Sequence, residues 1–225
     1  MKNLRKRFSA SMILLLIAAI SMPFFDGIPF RIFYTAFSIV ALIELFSFFV
    51  KKRKIYNYIL AVIIATFLVI GTVFIWTASV PDFVTAIFSV CSYDVFAYLF
   101  GGMLGGLIFK KSHPFPHISK NKTWEGTIMG LLCSFILTCF NLLVFNSFNY
   151  IFFACGILAL IGDLFESFTK RRFDIKDSNE IVIKSPIFAK IELLIGGSEG
   201  HGGYLDRIDS VAFTTTILWL LTNLS

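Results

Sequence analysis

Charged residues are scarce in this chain of 225 residues. They form 15% of the sequence, while apolar residues form 57%, and this balance excludes an ordinary soluble domain. The four cysteines all lie in apolar stretches and none forms a Cys-x-x-Cys pair, so we interpret them as small buried apolar residues. No small-x-small cleavage site follows the first apolar run, residues 9–26, and we expect that run to remain as a membrane span. The composition therefore predicts an all-α, polytopic integral membrane helical bundle.

Apolar runs suited to membrane helices recur along the whole chain. A bilayer requires about 20 apolar residues per helix, with shorter ones tolerated. The fourth run contains Asp94 and several glycines, and the sequence leaves open whether it forms one helix or two. The last run is short, and the total is about seven spans. The candidate spans are residues 9–26, 29–50, 57–77, 82–109, 125–147, 149–167 and 209–224.

The basic residues test this layout. Nineteen of the 20 Lys and Arg residues fall on one side of the predicted membrane, and only Arg31 falls on the other. The positive-inside rule then places the N-terminus in the cytoplasm and the C-terminus outside. The net charge of +6 follows from this topology, so we expect no nucleic-acid partner. Two cytoplasmic segments, 110–125 and 167–208, are polar enough to hold a functional site.

Two pairs of carboxylates stand three residues apart at predicted helix ends. Asp163 and Glu166 close the sixth span, and Asp206 and Asp209 open the last one. Residues at this spacing share a helix face. Four negative charges in a partly dry site repel one another strongly, and Mg²⁺ is the hard cation that carboxylate oxygens favour. Capping or salt bridging at helix ends is the alternative interpretation.

Cations and glycines near these carboxylates suit a phosphate group. The basic residues Lys170, Arg171, Arg172 and Lys176 could bind phosphates in nucleotidyl transfer, or they could be only the positively charged flank of a membrane span. The glycine-rich turn 196–203 could present backbone N–H groups to an anion, or it could be a flexible loop. His201 in that turn could act as a general acid or base, could donate a hydrogen bond to a phosphate, or could have a structural role.

Four other features lie outside these motifs. Asp94 inside the fourth span needs a partner, and function is the default interpretation of a charge at that depth, with a structural hydrogen-bonded pair as the alternative. The pattern Gly101-Gly102-x-x-Gly105-Gly106 favours helix packing over nucleotide binding. Segment 119–126 could be an interfacial anchor built on Trp124. Residues 185–195 have the pattern of a short amphipathic helix at the membrane surface.

Taken in order, these blocks resemble the signature of the phosphatidate cytidylyltransferases, also called CDP-diacylglycerol synthases. The resemblance covers roughly residues 92–210, and its specificity rests on several blocks in the right order. The chain departs from the family pattern at Lys120, where proline is usual, at Gly106, where a basic residue is usual, and in a longer link between Asp177 and His201. The matching residues are Asp94, Ala97, Tyr98 and Gly101; Ser119 and Lys122 to Gly126; Gly162, Asp163, Glu166, Ser167, Lys170, Arg171, Lys176, Asp177 and Ser178; and His201, Gly202, Gly203, Asp206, Arg207 and Asp209.

The resemblance implies Mg²⁺-dependent condensation of CTP with phosphatidate, or a related lipid phosphate, to give CDP-diacylglycerol and pyrophosphate. The enzyme would face the cytoplasm from the inner membrane, with one metal ion or two, with membrane lipids around it, and with a homodimer left open. N-terminal helices in 1–81 would precede a catalytic domain in 82–225. The implied metal ligands are Asp163, Glu166, Asp177, Asp206 and Asp209. The implied catalytic residues are Asp163, Asp206, Lys170, Arg171, His201 and Arg207. The implied substrate-binding residues are Asp94, Ser119, Lys122, Thr123, Trp124, Lys176, Ser178, Gly202 and Gly203.

Other functions are compatible with parts of the pattern. A related enzyme could transfer cytidylyl to another lipid phosphate, or phosphorylate a lipid alcohol with CTP. A non-catalytic scaffold or a transporter could use the carboxylates to bind cations. A transporter should hold its ions near the membrane midplane, whereas every candidate residue except Asp94 lies at the predicted cytoplasmic boundary. This location favours an enzyme that joins a nucleotide to a lipid headgroup.

Overall fold

A computed structural model shows the protein as a set of long helices. It describes residues 27–51, 55–110, 113–116, 118–119, 122–146, 149–172 and 205–224. A short 3₁₀ turn, Tyr150–Ala154, leads into the fifth of the described helices. The helices are α1 (Ile28–Lys51), α2 (Ile55–Thr77), α3 (Val80–Leu104), α4 (Trp124–Val144), α5 (Cys155–Arg172) and α6 (Leu205–Leu224).

Most of these helices are long and apolar enough to cross a membrane. Five described stretches meet that criterion, and Ile208–Leu224 is apolar but shorter. Large apolar side chains such as Phe46 and Leu143 remain exposed, as expected of helices whose surroundings are lipid. The predicted all-α, polytopic membrane architecture is therefore confirmed. The first predicted span, 9–26, lies outside the described residues, so the count of seven stays a prediction. The qualifying stretches are Ile28–Phe46, Tyr58–Thr77, Val80–Leu104, Trp124–Val144 and Tyr150–Arg172.

Helix α3 is one continuous helix, which answers the question that the sequence left open. Ser79 begins it as the N-cap, because its side chain accepts a hydrogen bond from the backbone N–H of Asp82. The helix ends at Leu104, five residues before the end of the predicted span. Gly106 follows with a φ of 84°, a left-handed conformation that suits glycine and stops a helix.

Helices α3 and α4 approach each other through small residues. A Cβ atom on Gly126 would meet the carbonyl oxygen of Ala97 and would lie 2.8 Å from Cα of Gly101. A Cβ on Gly130 would lie 2.8 Å from that of Ala97. The backbones can therefore come this close only because the side chains are missing. The predicted packing role of the glycine pattern is confirmed for Gly101, whereas Gly102 faces open space.

Hydroxyl groups continue the α3–α4 contact toward the start of α3. The side chains of Ser89 and Thr138 are hydrogen-bonded at 2.6 Å, and Ser134 donates to the carbonyl oxygen of Ser89 at 2.8 Å. All three residues are buried. Lipid offers no hydrogen-bond partners, so these bonds satisfy polar groups that would otherwise be costly at this depth.

The chain divides into two compact units, each described by itself. The first comprises Met1–Thr66 and Thr169–Ile208, and the second comprises Phe67–Phe168 and Asp209–Ser225. Within the second, the rings of Phe67, Phe165 and Phe213 form a cluster with centroid distances of 5.0 to 6.4 Å. This cluster joins parts of α2, α5 and α6. The functional division of the chain at residue 81 stays a prediction.

Alanine at Gly126 should destabilise the protein, whereas alanine at Gly102 should not. The added methyl group at Gly126 would meet backbone atoms of α3 that cannot move aside, and such overpacking costs about 1–3 kcal/mol. At Gly102 it would meet nothing within 4 Å, and alanine favours the helix. Thermal unfolding of the two purified variants in detergent measures the difference. Equal melting temperatures for the variants would contradict the tight α3–α4 contact.

Candidate active site

Three carboxylates from two helices converge in the second unit. Asp163 and Glu166 lie on one face of α5, and Asp209 lies near the start of α6. One oxygen from each lies within 4.8 Å of the others. Glu166 is only 9% exposed, so part of this negative charge is shielded from solvent. The predicted convergence of α5 and α6 carboxylates is present for these three residues.

Gly162 allows α5 and α6 to come this close. A Cβ atom on Gly162 would lie 3.0 Å from Cα of Ser210 and 3.1 Å from Cβ of Phe213. Asp163 follows Gly162 directly and Asp209 precedes Ser210 directly. The glycine therefore places the carboxylates of the two helices side by side.

Asp94 joins the same cluster from α3. The side chain of Ser210 hydrogen-bonds to its carboxylate, and Asp163 and Asp209 lie near enough to act on it electrostatically. Sequence reasoning gave Asp94 a substrate-binding role apart from the metal ligands. The structure instead places it beside two of them, so it extends the acidic cluster to a third helix.

Lys122 provides positive charge at this cluster. Its ammonium forms an ion pair with the carboxylate of Asp163 and lies 5.8 Å from the ring centroid of Tyr93. The lysine side chain is 15% exposed, whereas that of Asp163 is 34% exposed. Lys122 stands just before α4, so this single contact joins the start of α4 to α5. Sequence reasoning predicted the lysine as a substrate-binding residue and did not predict this ion pair.

The residues present suit a divalent cation. Among the described side chains, the carboxylates of Asp94, Asp163, Glu166 and Asp209 lie near one another, and the ammonium of Lys122 pairs with Asp163. Carboxylates gathered in a half-buried site are costly unless cations offset their charge. Carboxylate oxygens this close together are the donors that Mg²⁺ prefers.

Glu125 arranges the loop that follows α3. Its Oε1 accepts hydrogen bonds from the backbone N–H groups of Gly106, Ile108 and Phe109 at 3.0 to 3.1 Å. The residue is 3% exposed and lies in the first turn of α4, where the helix dipole favours a negative charge. Sequence reasoning placed Glu125 within a motif without giving it a role. Its position directly after Lys122-Thr123-Trp124 was the available signal.

The neighbouring predicted residues have structural contacts. Thr123 is the N-cap of α4, and its hydroxyl oxygen accepts from the N–H of Gly126 at 3.2 Å. The ring of Trp124 is tilted against that of Phe109, with centroids 6.3 Å apart. Ser119 bonds through its backbone N–H to the carbonyl oxygen of Phe115. Their substrate-binding roles stay predictions.

The predicted phosphate-binding cations stand at the end of α5. Lys170, Arg171 and Arg172 form its last turn, where basic residues are favoured by the helix dipole. Lys170 follows Asp163 by seven residues, two helical turns, and so shares its face of the helix. The two arginines are exposed. The helix therefore carries acidic and basic residues toward the same end.

Several predicted site residues cannot be placed. The side chains of Asp206 and Arg207 are not described, although both residues lie in the first turn of α6. The predicted amphipathic segment 185–195 lies outside the described residues. So do Lys176, Asp177, Ser178, His201, Gly202 and Gly203.

Membrane helices that bring carboxylates together beside a lysine define a class of integral membrane protein with a candidate divalent-cation site. The model of the cytidylyltransferase family matches residues 75–183, which include α3, α4 and α5. This match covers just under half of the chain, and it confirms the resemblance identified from the motifs.

Curated relatives show which members of the family the chain is similar to. The chain is 36% identical over 142 residues to a phosphatidate cytidylyltransferase of Rickettsia conorii, covering 58% of this chain and 53% of that protein. It is 38% identical over 135 residues to one of Staphylococcus aureus strain COL, covering 57% of this chain and 44% of that protein. The chain spans about half the length of the curated relatives it matches.

Removing a carboxylate from the cluster should weaken divalent-cation binding. Asp163→Asn and Asp209→Asn each withdraw one charged ligand, and we expect each to raise the dissociation constant for Mn²⁺ at least tenfold, about 1.4 kcal/mol. Electron paramagnetic resonance of Mn²⁺ added to the substrate-free protein measures this constant.

Asp82→Asn is the matched control, because Asp82 bonds to Ser79 at the first turn of α3, about three turns before Asp94. It should leave the constant unchanged. Mn²⁺ binding equal in all three variants would remove the cluster as a metal site.

Proposed function

We propose that this protein joins CTP to phosphatidate, forming CDP-diacylglycerol and releasing pyrophosphate. The observation that carries the proposal is the Asp163, Glu166 and Asp209 cluster, held beside Lys122 in a chain that the model of the cytidylyltransferase family matches in part. Names of the relatives, phosphatidate cytidylyltransferases, support the choice of lipid phosphate. The reaction class agrees with the chemistry of the donor set.

The reaction exchanges one phosphoanhydride bond for another. A phosphate oxygen of the lipid forms a bond to the α-phosphorus of CTP, and the bond from that phosphorus to the β-phosphate oxygen breaks. The electron pair leaves with pyrophosphate. When bound, Mg²⁺ would supply positive charge to the phosphate oxygens and would stabilise the charge that builds on the leaving group.

Different residues would hold the metal and contact the nucleotide. Asp163, Glu166 and Asp209 would hold the metal. Asp94, on α3, would add a further negative charge beside it. Lys122 pairs with Asp163 and would turn toward a phosphate of the bound nucleotide. Asp206 and Asp177 remain proposed further ligands by resemblance.

Cations beyond the cluster would bind the phosphates. Lys170 and Arg171 lie in the last turn of α5, on the side that the positive-inside rule assigns to the cytoplasm. Arg207, Lys176 and the His201 turn are proposed for the same task by resemblance. The proposed site therefore faces the cytoplasm from the inner membrane, where CTP is present and a lipid headgroup can reach it.

Purified protein should form CDP-diacylglycerol from CTP and phosphatidate only with Mg²⁺ present. Asp163→Asn should lower turnover at least 100-fold, because it removes both a metal ligand and the partner of Lys122, whereas Asp82→Asn should keep wild-type turnover. Radiolabelled CTP with phosphatidate in mixed micelles gives the measurement. Other lipid phosphates and a lipid alcohol, assayed in parallel, test the substrate. Preferred use of one of them by the wild type would replace phosphatidate in the proposal.

Neutralising Lys170 and Arg171 together should raise the KM for CTP or lipid beyond the effect of exposed charges. An exposed ion pair contributes at most about 1 kcal/mol, roughly fivefold, so a larger rise indicates phosphate binding. Lys51→Gln removes a cation at the end of α1, on the same predicted side of the membrane, and should change KM little. A double variant that behaves like Lys51→Gln would leave Lys170 and Arg171 only a topological role.

A further inference from the structure

Glu44 is an acidic residue inside a membrane helix, outside the part of the chain that the family model matches. It lies in α1, within the apolar stretch Ile28–Phe46, and is 4% exposed. Placing a carboxylate in such a stretch is costly, and it is retained where it has a specific partner. The motifs gave no role to this residue.

One partner of Glu44 is the start of α6. Its Oε2 accepts a hydrogen bond from the backbone N–H of Leu205 at 2.9 Å. Leu205 is the first residue of α6, and the first N–H groups of a helix have no partner within the helix. A carboxylate at this end also lies at the positive pole of the helix dipole. Glu44 therefore caps α6 from another helix, 161 residues away in sequence.

The capped turn is the one that carries acidic residues of the site. Asp206 and Arg207 follow Leu205 directly, and Asp209 follows it by four residues, about one turn of helix. Asp209 is one of the three residues of the acidic cluster. A shift or a rotation of the first turn would move this ligand, and displacements near 1 Å are enough to reduce catalysis greatly.

We propose that Glu44 is a positioning residue, which holds the first turn of α6 so that Asp209 faces the metal. This role rests on the proposed function for its effect on turnover, but its effect on metal binding stands on the geometry alone. Glu44 acts through the backbone of α6 and does not contact the substrate. The N-terminal helices would then be a working part of the enzyme as well as its membrane anchor.

Two substitutions separate positioning from general packing. Glu44→Gln keeps an oxygen that can accept from Leu205, whereas Glu44→Ala removes it. Ser38→Ala is the control, since Ser38 is a buried polar residue six positions earlier on α1, and its hydroxyl has no hydrogen-bond partner among the described residues. Each variant is made in the full chain. Mn²⁺ binding, melting temperature and steady-state turnover are then measured.

Glu44→Ala should raise the Mn²⁺ dissociation constant about fivefold or more and lower kcat about tenfold, with KM for CTP within about twofold of wild type. Glu44→Gln and Ser38→Ala should remain within about twofold in every measurement. Wild-type Mn²⁺ binding by Glu44→Ala would overturn the proposal, as would equal losses in the glutamine and alanine variants. If Glu44→Ala does not fold, Glu44→Asp decides, because its shorter side chain withdraws the acceptor from Leu205. Wild-type Mn²⁺ binding by the aspartate variant would also overturn it.

The Mn²⁺ measurement keeps this test separate from the reaction itself. Wild-type protein that binds Mn²⁺ but does not use CTP and phosphatidate would contradict the proposed function. The positioning role of Glu44 would still be decided by the Mn²⁺ constants of its variants.

Discussion

The close approach of α5 and α6 at Gly162 is the constraint on which the candidate site depends. A Cβ atom at this position would lie 3.0 Å from Cα of Ser210 and 3.1 Å from Cβ of Phe213, which is tighter than ordinary van der Waals contact. Ser210 has a second task, because it hydrogen-bonds to Asp94 on α3. The contact of α5 with α6 thus determines the spacing of the carboxylates, and through Ser210 it also connects α3 to them. Because the two helices pack closely at a glycine, the spacing of the carboxylates is more rigid than contacts through long side chains would make it.

The hydrogen bonds and ion pairs of each carboxylate determine whether it is available to a cation. Glu125 receives three backbone N–H groups and Glu44 receives one at the start of α6, so both serve as anchors for backbone. Asp163 and Glu166 share the cluster with Asp209, and the ion pair of Lys122 with Asp163 offsets part of its negative charge. Buried negative charge in lipid must be satisfied in one of these ways. Acidic residues therefore have two different roles in this protein: some anchor backbone N–H groups, and others form the acidic cluster.

The family match and the structure emphasise different parts of the chain. Residues 75–183 match the family, and they hold α3, α4, Lys122 and the carboxylates of α5. Asp209 and Glu44 lie beyond that range, on α6 and α1. The chemistry proposed for the site thus depends on residues from both regions. The long link between Asp177 and His201 distinguishes this chain from the family pattern.

Much of the fold and the site follows from the sequence alone. Apolar runs determined the helices, because lipid leaves the backbone no other way to satisfy its hydrogen bonds, and spacing three apart put Asp163 and Glu166 on one face. The end of α3 at Leu104, the ion pair of Lys122 and the anchoring roles of Glu125 and Glu44 were decided only by the tertiary structure. The ion pair and the two anchoring contacts join residues distant in sequence, and helical periodicity determines which face a side chain occupies but not which helix lies opposite. Packing of small residues at Gly126 and Gly162 makes that choice, since it determines where two backbones can meet.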